Sequence, residues 1–369
     1  MNILILSWRG PGHPNEGGAE IVTHEHAKAW VKAGHNVTLF TSSYIGCKKG
    51  ESIDGVEIIR SGRQVFGVQI SAFFWYRFGK HRKFDIIVDE FHGIPFFTPL
   101  YVKTKILGFI HEVALEVWKV NEFPKPYNII PAYLGPIIEP LIFKLYKKID
   151  FLTVSSSTKE DLIGFGIKKN KITVISNGIS RSRKKYLGKR EKVVIYLGAL
   201  SHDKGIEDAL KTFSEIKRKD EDWKFWVVGK SSPIFVLTLK NFCRKLNIYK
   251  ETSFFGFVSD QKKFELLSKA FVMINPSIYE GWGLVNVEAN SVGTPVVAYK
   301  VKGIIDSVKE GYSGILCDKG DYRQLAIVII KLWQNKNLYE KLSQQSEKWS
   351  RKFTWEQSTK ESISLIESL

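Results

Sequence analysis

The chain has 369 residues, 44% apolar and 25% charged, which is the composition of a globular protein too long for one ordinary core; two domains are expected. Its three cysteines, Cys47, Cys243 and Cys317, form no disulfide or metal spacing and fit a reducing, cytosolic setting. The net charge of +17 sits mainly in the first half: residues 1–190 hold 28 basic and 16 acidic side chains (+12), residues 191–369 hold 27 and 22 (+5). Nucleic acid, anionic lipid, a phosphorylated substrate or plain solvation each account for such a surplus. No helix-turn-helix, zinc or aromatic RNA-binding signature accompanies it, so nucleic acid is not an expected partner.

Met1–Trp8 is too short an apolar run for a signal peptide and lacks a basic lead. No apolar stretch is long enough to span a bilayer, Ile129–Phe143 being interrupted by three prolines and Glu139. Asn2–Ser7 reads as a first strand, followed by a loop, Arg9–Gly18, that carries four glycines. A helix follows over Glu20–Ala33, capped by Gly34, and then a strand over Val37–Thr41. The loop lacks the G-x-G-x-x-G spacing of a nicotinamide site, and no acidic residue ends the second strand. Phe73–Lys83 mixes five aromatics with basic side chains; it suits either a membrane interface or a core helix with a basic end.

Ile86–Val88 reads as a strand leading into a polar loop, Asp89–Gly93, and Lys105–Ile110 as a strand ending at His111. A histidine at the carboxyl edge of an α/β sheet stands where ligands bind, although a lone histidine is more often structural. Trp118–Tyr146 is aromatic and apolar throughout, either an insertion that binds a substrate or a packed loop and helix. Phe151–Val154 is a strand, Ser157–Glu160 a capping box, and Ile172–Ile175 a further strand. From Lys168 to Arg190 there are nine basic residues and no acidic one, which marks the interdomain linker. The domains are expected at 1–180 and 192–350, joined by a basic linker at 181–191, with a tail at 351–369 that carries Trp355.

In the second half, Lys192–Leu197 is a strand followed by Gly198-Ala199-Leu200-Ser201-His202-Asp203-Lys204-Gly205. Trp223–Val228 and Ser253–Phe257 are further strands. Ala270–Ile274 runs into Asn275-Pro276-Ser277-Ile278-Tyr279-Glu280-Gly281-Trp282-Gly283-Leu284, then a helix stopped by Gly293-Thr294-Pro295, then the strand Val296–Tyr299. This is one βαβ unit whose helix start offers unpaired amides to an anion. Glu280 and Glu288 lie close to it; a carboxylate repels a phosphate, so both read as acceptors of hydrogen bonds from hydroxyls. A diphosphate flanked by sugars fits them, and so does a glycine-rich turn with two solvated glutamates. The chain ends in helix, Asp321–Ser350, before the tail.

The whole string from Ile274 to Ala298 resembles the Glu-x7-Glu signature of the retaining glycosyltransferases of family 4, with Trp282 in the usual phenylalanine position. The resemblance implies the GT-B architecture: α/β, two Rossmann-like domains facing a central cleft, with the tail at 351–369 crossing back to the first domain. It also implies roles. Glu288 would bind the donor ribose, Glu280 the transferred sugar, and the amides of Gly281, Trp282, Gly283 and Leu284 the diphosphate. Lys204 would clamp the diphosphate, His111 would face the reacting sugar, Gly256 would lie against the base, and Gly17 and Gly18 would form the acceptor and phosphate loop. The family pattern near Lys204 also has an arginine, and here Ala199 occupies its place. Lys230, with His202 second, is the candidate replacement cation. Catalysis would then rest on His111, Glu280 and Lys204.

The expected activity is retaining, metal-independent transfer of a sugar from a nucleotide-sugar donor to an acceptor hydroxyl. No cofactor is implied beyond the donor, which is a substrate, and no Asp-x-Asp or clustered metal ligands occur. The acceptor is left open between a lipid phosphate, a growing glycan and a small molecule; the basic, aromatic first half points to a lipid-linked one and to a cytoplasmic protein held peripherally at the inner membrane face. Two competitors remain: another enzyme of the same architecture, such as a nucleotide-sugar epimerase or a sugar phosphorylase, and a catalytically weak nucleotide-sugar-binding protein.

Overall fold

The computed structural model describes residues 1–64, 67–92, 94–115, 118, 129–182 and 190–369. The chain forms two compact units, residues 1–178 with 354–369, and residues 179–353. The 181–191 linker expectation falls largely on residues 183–189, outside the described residues.

The first unit runs β1 (Asn2–Leu6), α1 (Gly18–Lys32), β2 (Asn36–Thr41), β3 (Gly50–Ile53), β4 (Val56–Arg60), α2 (Gly67–Phe78), β5 (Ile86–Phe91), β6 (Lys105–Ile110), α3 (Ile129–Leu145), β7 (Asp150–Thr153), α4 (Ser156–Gly164) and β8 (Ile172–Val174). Its sheet has the order β3-β4-β2-β1-β5-β6-β7-β8, parallel except for β3. The order reverses between β1 and β5, which opens a crevice at their carboxyl ends. Parity fixes the layers. Ile87 of β5 packs with Val68 and Ala72 of α2, and Phe91, four residues on, packs with Ile142 and Phe143 of α3. Strand residues four apart point the same way, so α2 and α3 cover one sheet face.

The second unit runs β9 (Glu191–Leu197), α5 (Ile206–Lys219), β10 (Lys224–Val228), α6 (Pro233–Lys245), β11 (Thr252–Gly256), α7 (Asp260–Lys269), β12 (Ala270–Asn275), α8 (Leu284–Ser291), β13 (Val296–Tyr299), α9 (Ile304–Ser307), β14 (Gly314–Cys317), α10 (Tyr322–Gln334) and α11 (Lys336–Ser350). Its all-parallel sheet has the order β11-β10-β9-β12-β13-β14, with the reversal between β9 and β12. The last helix, α12 (Trp355–Ser368), belongs to the first unit and lies on α1, where the Trp30 indole donates to Ser362 at 3.2 Å.

Three local expectations need correction, and one hairpin went unread. Asp89 and Glu90 are not loop residues but lie in β5, fully buried. Thr98, Tyr146 and the Phe96 amide donate to the Asp89 carboxylate, which is how a strand tolerates it there. The helix cap is Ser155, accepting from the Thr158 amide, rather than Ser157 with Glu160. The terminal helix is two helices, because the Asn335 side chain caps the second by accepting from Leu338. The β3–β4 hairpin was missed, although its Asp54-Gly55 turn, with φ of 52° and 82°, is the tight-turn chemistry that joins antiparallel strands.

Glu139 supplies a pH handle on the first unit. It is buried on the inner side of α3 and accepts from the Ala114 amide at 2.6 Å and the Trp118 indole at 3.0 Å. Burial pushes its carboxyl up, those two hydrogen bonds pull it back, Asp161 and Glu112 push it up again, and it settles at about 7. The folded state holds the proton more tightly than the unfolded chain. Its stabilising contribution is therefore full below about pH 4.5 and is lost as pH rises through about 7. Relative to Glu139→Gln, the wild type should lose up to ~3 kcal/mol between pH 5 and 8. Denaturation midpoints of the two proteins at both pH values check this; a pH-independent difference contradicts it.

Candidate active site

In the second unit the site is built from loops at the carboxyl edge of the parallel sheet, around the β9/β12 reversal. The backbone stitches them together. The Ile278 amide donates to Asp203, Leu200 to Lys230, and Gly229 to Gly256, which joins the loops after β12, β9, β10 and β11 in turn. From beneath, the buried Tyr196 hydroxyl donates to the Ala199 carbonyl at 2.6 Å. Gly205 permits a close approach of two of these loops. Its φ is +69°, and a Cβ there would lie 1.9 Å from the Pro276 carbonyl oxygen. Gly303 does the same on the other side, where a Cβ would lie 2.0 Å from the Glu280 carbonyl.

The result is that Lys204 donates to the Glu280 carboxylate at 3.2 Å and to the Tyr279 carbonyl at 3.4 Å. Gly283, with φ +86°, turns the chain into α8, and the helix start is locked by Asn275 donating to Asn286 and Asn286 to Ser307. Glu288, in the second turn of α8, accepts from Lys263 at 2.6 Å. Burial pushes the Glu288 carboxyl up, and the Lys263 ammonium pulls against it. For Lys263 burial favours the neutral form, but Glu288 and Asp260 outweigh it and hold the ammonium above its ordinary range. Both carboxylates thus carry a cation partner, which reduces their repulsion of a nearby anion.

Lys204, Glu280 and the start of α8 come together, with Gly281, Gly283 and Leu284 at that start. Trp282 offers only its backbone, since its ring is buried edge-on against Phe353. Ala199 is exposed on its loop. Lys230 is exposed beside it and lies over the Phe257 ring, 5.8 Å from its centre. His202 pairs instead with Glu207 and packs against Phe235. Gly256 has φ +68° with open space about its Cα.

In the first unit His111 stands at the carboxyl end of β6, next to the β1/β5 reversal. Its Nε2 lies 3.1 Å from the Glu90 carboxylate, and its carbonyl accepts from Thr158 at 3.2 Å. Glu90 also accepts from Thr23 at 2.6 Å, and His92 lies 3.3 Å away. Burial alone would push the Glu90 carboxyl up; the charge of His92 and the hydrogen bond from His111 outweigh it and hold it below the ordinary range. Gly17 caps α1, and its amide donates to Glu20, whose other oxygen accepts from Arg9 at 2.7 Å. The His92 ring stacks between this corner and His111, against Trp8 at 5.3 Å and His111 at 6.0 Å. Gly17, which Glu20 ties to this corner, and His111 are thus linked through His92, whose Nε2 lies 3.8 Å from Glu20.

Glu90, His92, Arg9, Lys263 and Asn286 were not singled out from sequence. The Gly17-x-x-Glu20 spacing was a readable capping signal; those five residues meet partners from other segments and leave no local pattern. Among the described residues no group of three or more His, Cys, Asp or Glu side chains is placed to hold a metal ion.

Comparison with known proteins agrees with the two-unit division. Residues 16–183 match the model of "Glycosyltransferase Family 4" and residues 179–349 that of "Glycosyl transferases group 1". A glycogen synthase of Mycobacterium tuberculosis is 26% identical over 89% of this chain and 85% of its own. A capsular polysaccharide biosynthesis glycosyltransferase, CapM, of Staphylococcus aureus is 28% identical over 68% of this chain and 71% of its own. Among solved structures, a sucrose-phosphate synthase from Thermosynechococcus elongatus aligns with TM-score 0.79 at 19% identity, covering 100% of this chain and 98% of that one. Anabaena Alr3699/HepE, solved in complex with UDP and glucose, aligns with TM-score 0.73 at 18% identity over 100% of both chains.

Proposed function

The chain belongs to the GT-B glycosyltransferases, and from that premise we propose that it transfers a sugar from a nucleotide-sugar donor to an acceptor hydroxyl, with retention and without a bound metal. One observation carries this reading: Lys204 meets Glu280 at 3.2 Å beside the start of α8, with Glu288 in the next turn. The amides of Gly281 to Leu284 and the Lys204 ammonium would hold the donor diphosphate and stabilise the charge that grows on it as it leaves. Glu288, its charge balanced by Lys263, accepts hydrogen bonds from the ribose. Glu280 accepts from hydroxyls of the transferred sugar, His111 faces the reacting centre, and Gly256 approaches the base. Lys230 supplies the cation that Ala199 cannot.

The cations supply the neutralisation that a divalent ion supplies elsewhere, and no cofactor besides the donor is required. UDP is the first nucleotide to test, because the HepE structures hold UDP and UDP-glucose. A glycan or lipid-linked acceptor is supported by the names of two similar proteins, CapM of capsular polysaccharide biosynthesis and WaaG of lipopolysaccharide biosynthesis. With such an acceptor the protein would work in the cytoplasm at the inner membrane face.

The test is product analysis with UDP-sugars, a panel of glycan and lipid-linked acceptors, and EDTA. Nucleoside diphosphate release that requires acceptor, survives EDTA and gives a product of unchanged anomeric configuration agrees with the reading. Conversion of the donor sugar without acceptor identifies an epimerase. The exposed Ala199 favours one further reading, a weak nucleotide-sugar-binding protein, which would show donor binding and no turnover with any acceptor.

A further inference from the structure

No helix among the described residues is long and apolar enough to cross a membrane, yet α3 has its polarity reversed for a helix in water. Its buried side holds Gly135, Glu139, Ile142 and Phe143, and Tyr146 continues it. Its outer side presents Ile130, Tyr133, Leu134, Ile137, Ile138 and Leu141, each between 45% and 75% exposed. The spacing of four makes this one continuous stripe along a helix about 25 Å long. A contiguous apolar stripe of that size marks an interaction surface.

Two further observations identify what covers it. The only acidic residue from 129 to 148 is the buried Glu139, whereas Lys144, Lys147 and Lys148 are exposed at the stripe's carboxyl end. Second, α2 repeats the apolar stripe: Ile70, Phe74 and Phe78, four residues apart, are exposed, and Arg77, Lys80 and Lys83 are exposed at that end, where Arg82 pairs with the exposed Glu57 and Asp85 is exposed as well. Because α2 and α3 cover the same sheet face, both stripes turn outward on one side of the first unit. Apolar stripes with a surplus of basic side chains at one end are complementary to acyl chains beneath anionic headgroups.

We propose that the outer faces of α2 and α3 form a docking surface for an anionic lipid bilayer, with α3 lying in the interface plane and the lysines at headgroup level. This surface deepens the reading of a lipid-linked acceptor, because it would hold the first unit against the layer in which such an acceptor is presented, but its test needs neither donor nor acceptor.

The test is co-sedimentation of the full chain with vesicles of phosphatidylcholine alone or with 30 mol% phosphatidylglycerol, for wild type and the exposed variant Ile130→Ser/Ile137→Ser/Leu141→Ser. Glu288→Gln serves as a control, since loss of donor binding leaves the surface intact. Wild type and Glu288→Gln should bind the anionic vesicles equally, at least tenfold more tightly than neutral ones, and the triple variant at least tenfold more weakly. The triple variant must keep the wild-type circular dichroism and melting midpoint; a second variant, Lys144→Gln/Lys147→Gln/Lys148→Gln, should lose the preference for anionic vesicles. Equal binding by wild type and triple variant overturns the proposal. So does a wild type that ignores vesicles, whether it is a monomer or a dimer that the triple substitution dissociates, the latter assigning the stripe to a second copy of the chain.

Discussion

Lys204→Ala should lower kcat by about 10²–10³-fold while leaving the acceptor KM nearly unchanged. The size is that of removing one preorganised donor from a site of developing negative charge. The fold should survive, because the Lys204–Glu280 pair is part-exposed, and such pairs contribute about 0–1 kcal/mol. Lys204→Arg keeps the charge but not the geometry and should recover part of the rate. Lys230→Ala gives an internal comparison. If Lys230 stands in for the arginine missing at Ala199, its loss should resemble that of Lys204, and Ala199→Arg should restore activity to Lys230→Ala. Steady-state kinetics on the four single variants and that double variant decide it. A fall in kcat under threefold for Lys204→Ala would remove the lysine from the leaving-group role.

Gly205→Ala should strongly destabilise the second unit. The left-handed φ of +69° costs an L-residue about 1–2 kcal/mol. The new Cβ would also sit 1.9 Å from the Pro276 carbonyl, and that oxygen belongs to backbone, which cannot rotate away as a side chain would. Overpacking of that kind adds about 1–3 kcal/mol, so a total of about 2–5 kcal/mol is expected. Gly256→Ala is the control: its φ is nearly the same, +68°, but its surroundings are open, so only the backbone cost of about 1–2 kcal/mol applies. Urea denaturation should rank the two accordingly. Equal destabilisation would show that the loops can part, and then Lys204 and Glu280 need not be held together.

The site of the second unit was legible because its chemistry is local. Glu280 and Glu288 lie in one loop and helix, and Lys204-Gly205 follows one strand, so spacing carried both. The meeting of these two segments was not local. It depends on Ile278 donating to Asp203 and on Gly205 lying against Pro276, about seventy positions apart in the chain. The first unit was harder to read for the opposite reason. Asp89 and Glu90 look like loop residues because buried carboxylates are rare in strands, and their partners Thr98, Tyr146, Thr23 and His111 come from four separate segments. The alternation within Ile86–Phe91 is hidden because every residue of that central strand is buried. In α3 the apolar content was evident, but not which side of the helix would be left exposed.

The most direct test of donor binding by the second unit is thermal unfolding with UDP, GDP, ADP and their sugars, comparing wild type with Glu288→Gln. Glutamine keeps the shape at α8 but removes the charge that Lys263 pairs with, so the variant's own midpoint without ligand is its reference. A nucleotide at about a hundred times its dissociation constant should stabilise the wild type by roughly 2.7 kcal/mol. The prediction is that one base does so, and that the upward shift is lost or strongly reduced in Glu288→Gln. If no nucleotide or nucleotide sugar moves the wild-type midpoint, or if the shift is the same in both proteins, the Glu280–Glu288 segment is not the donor site.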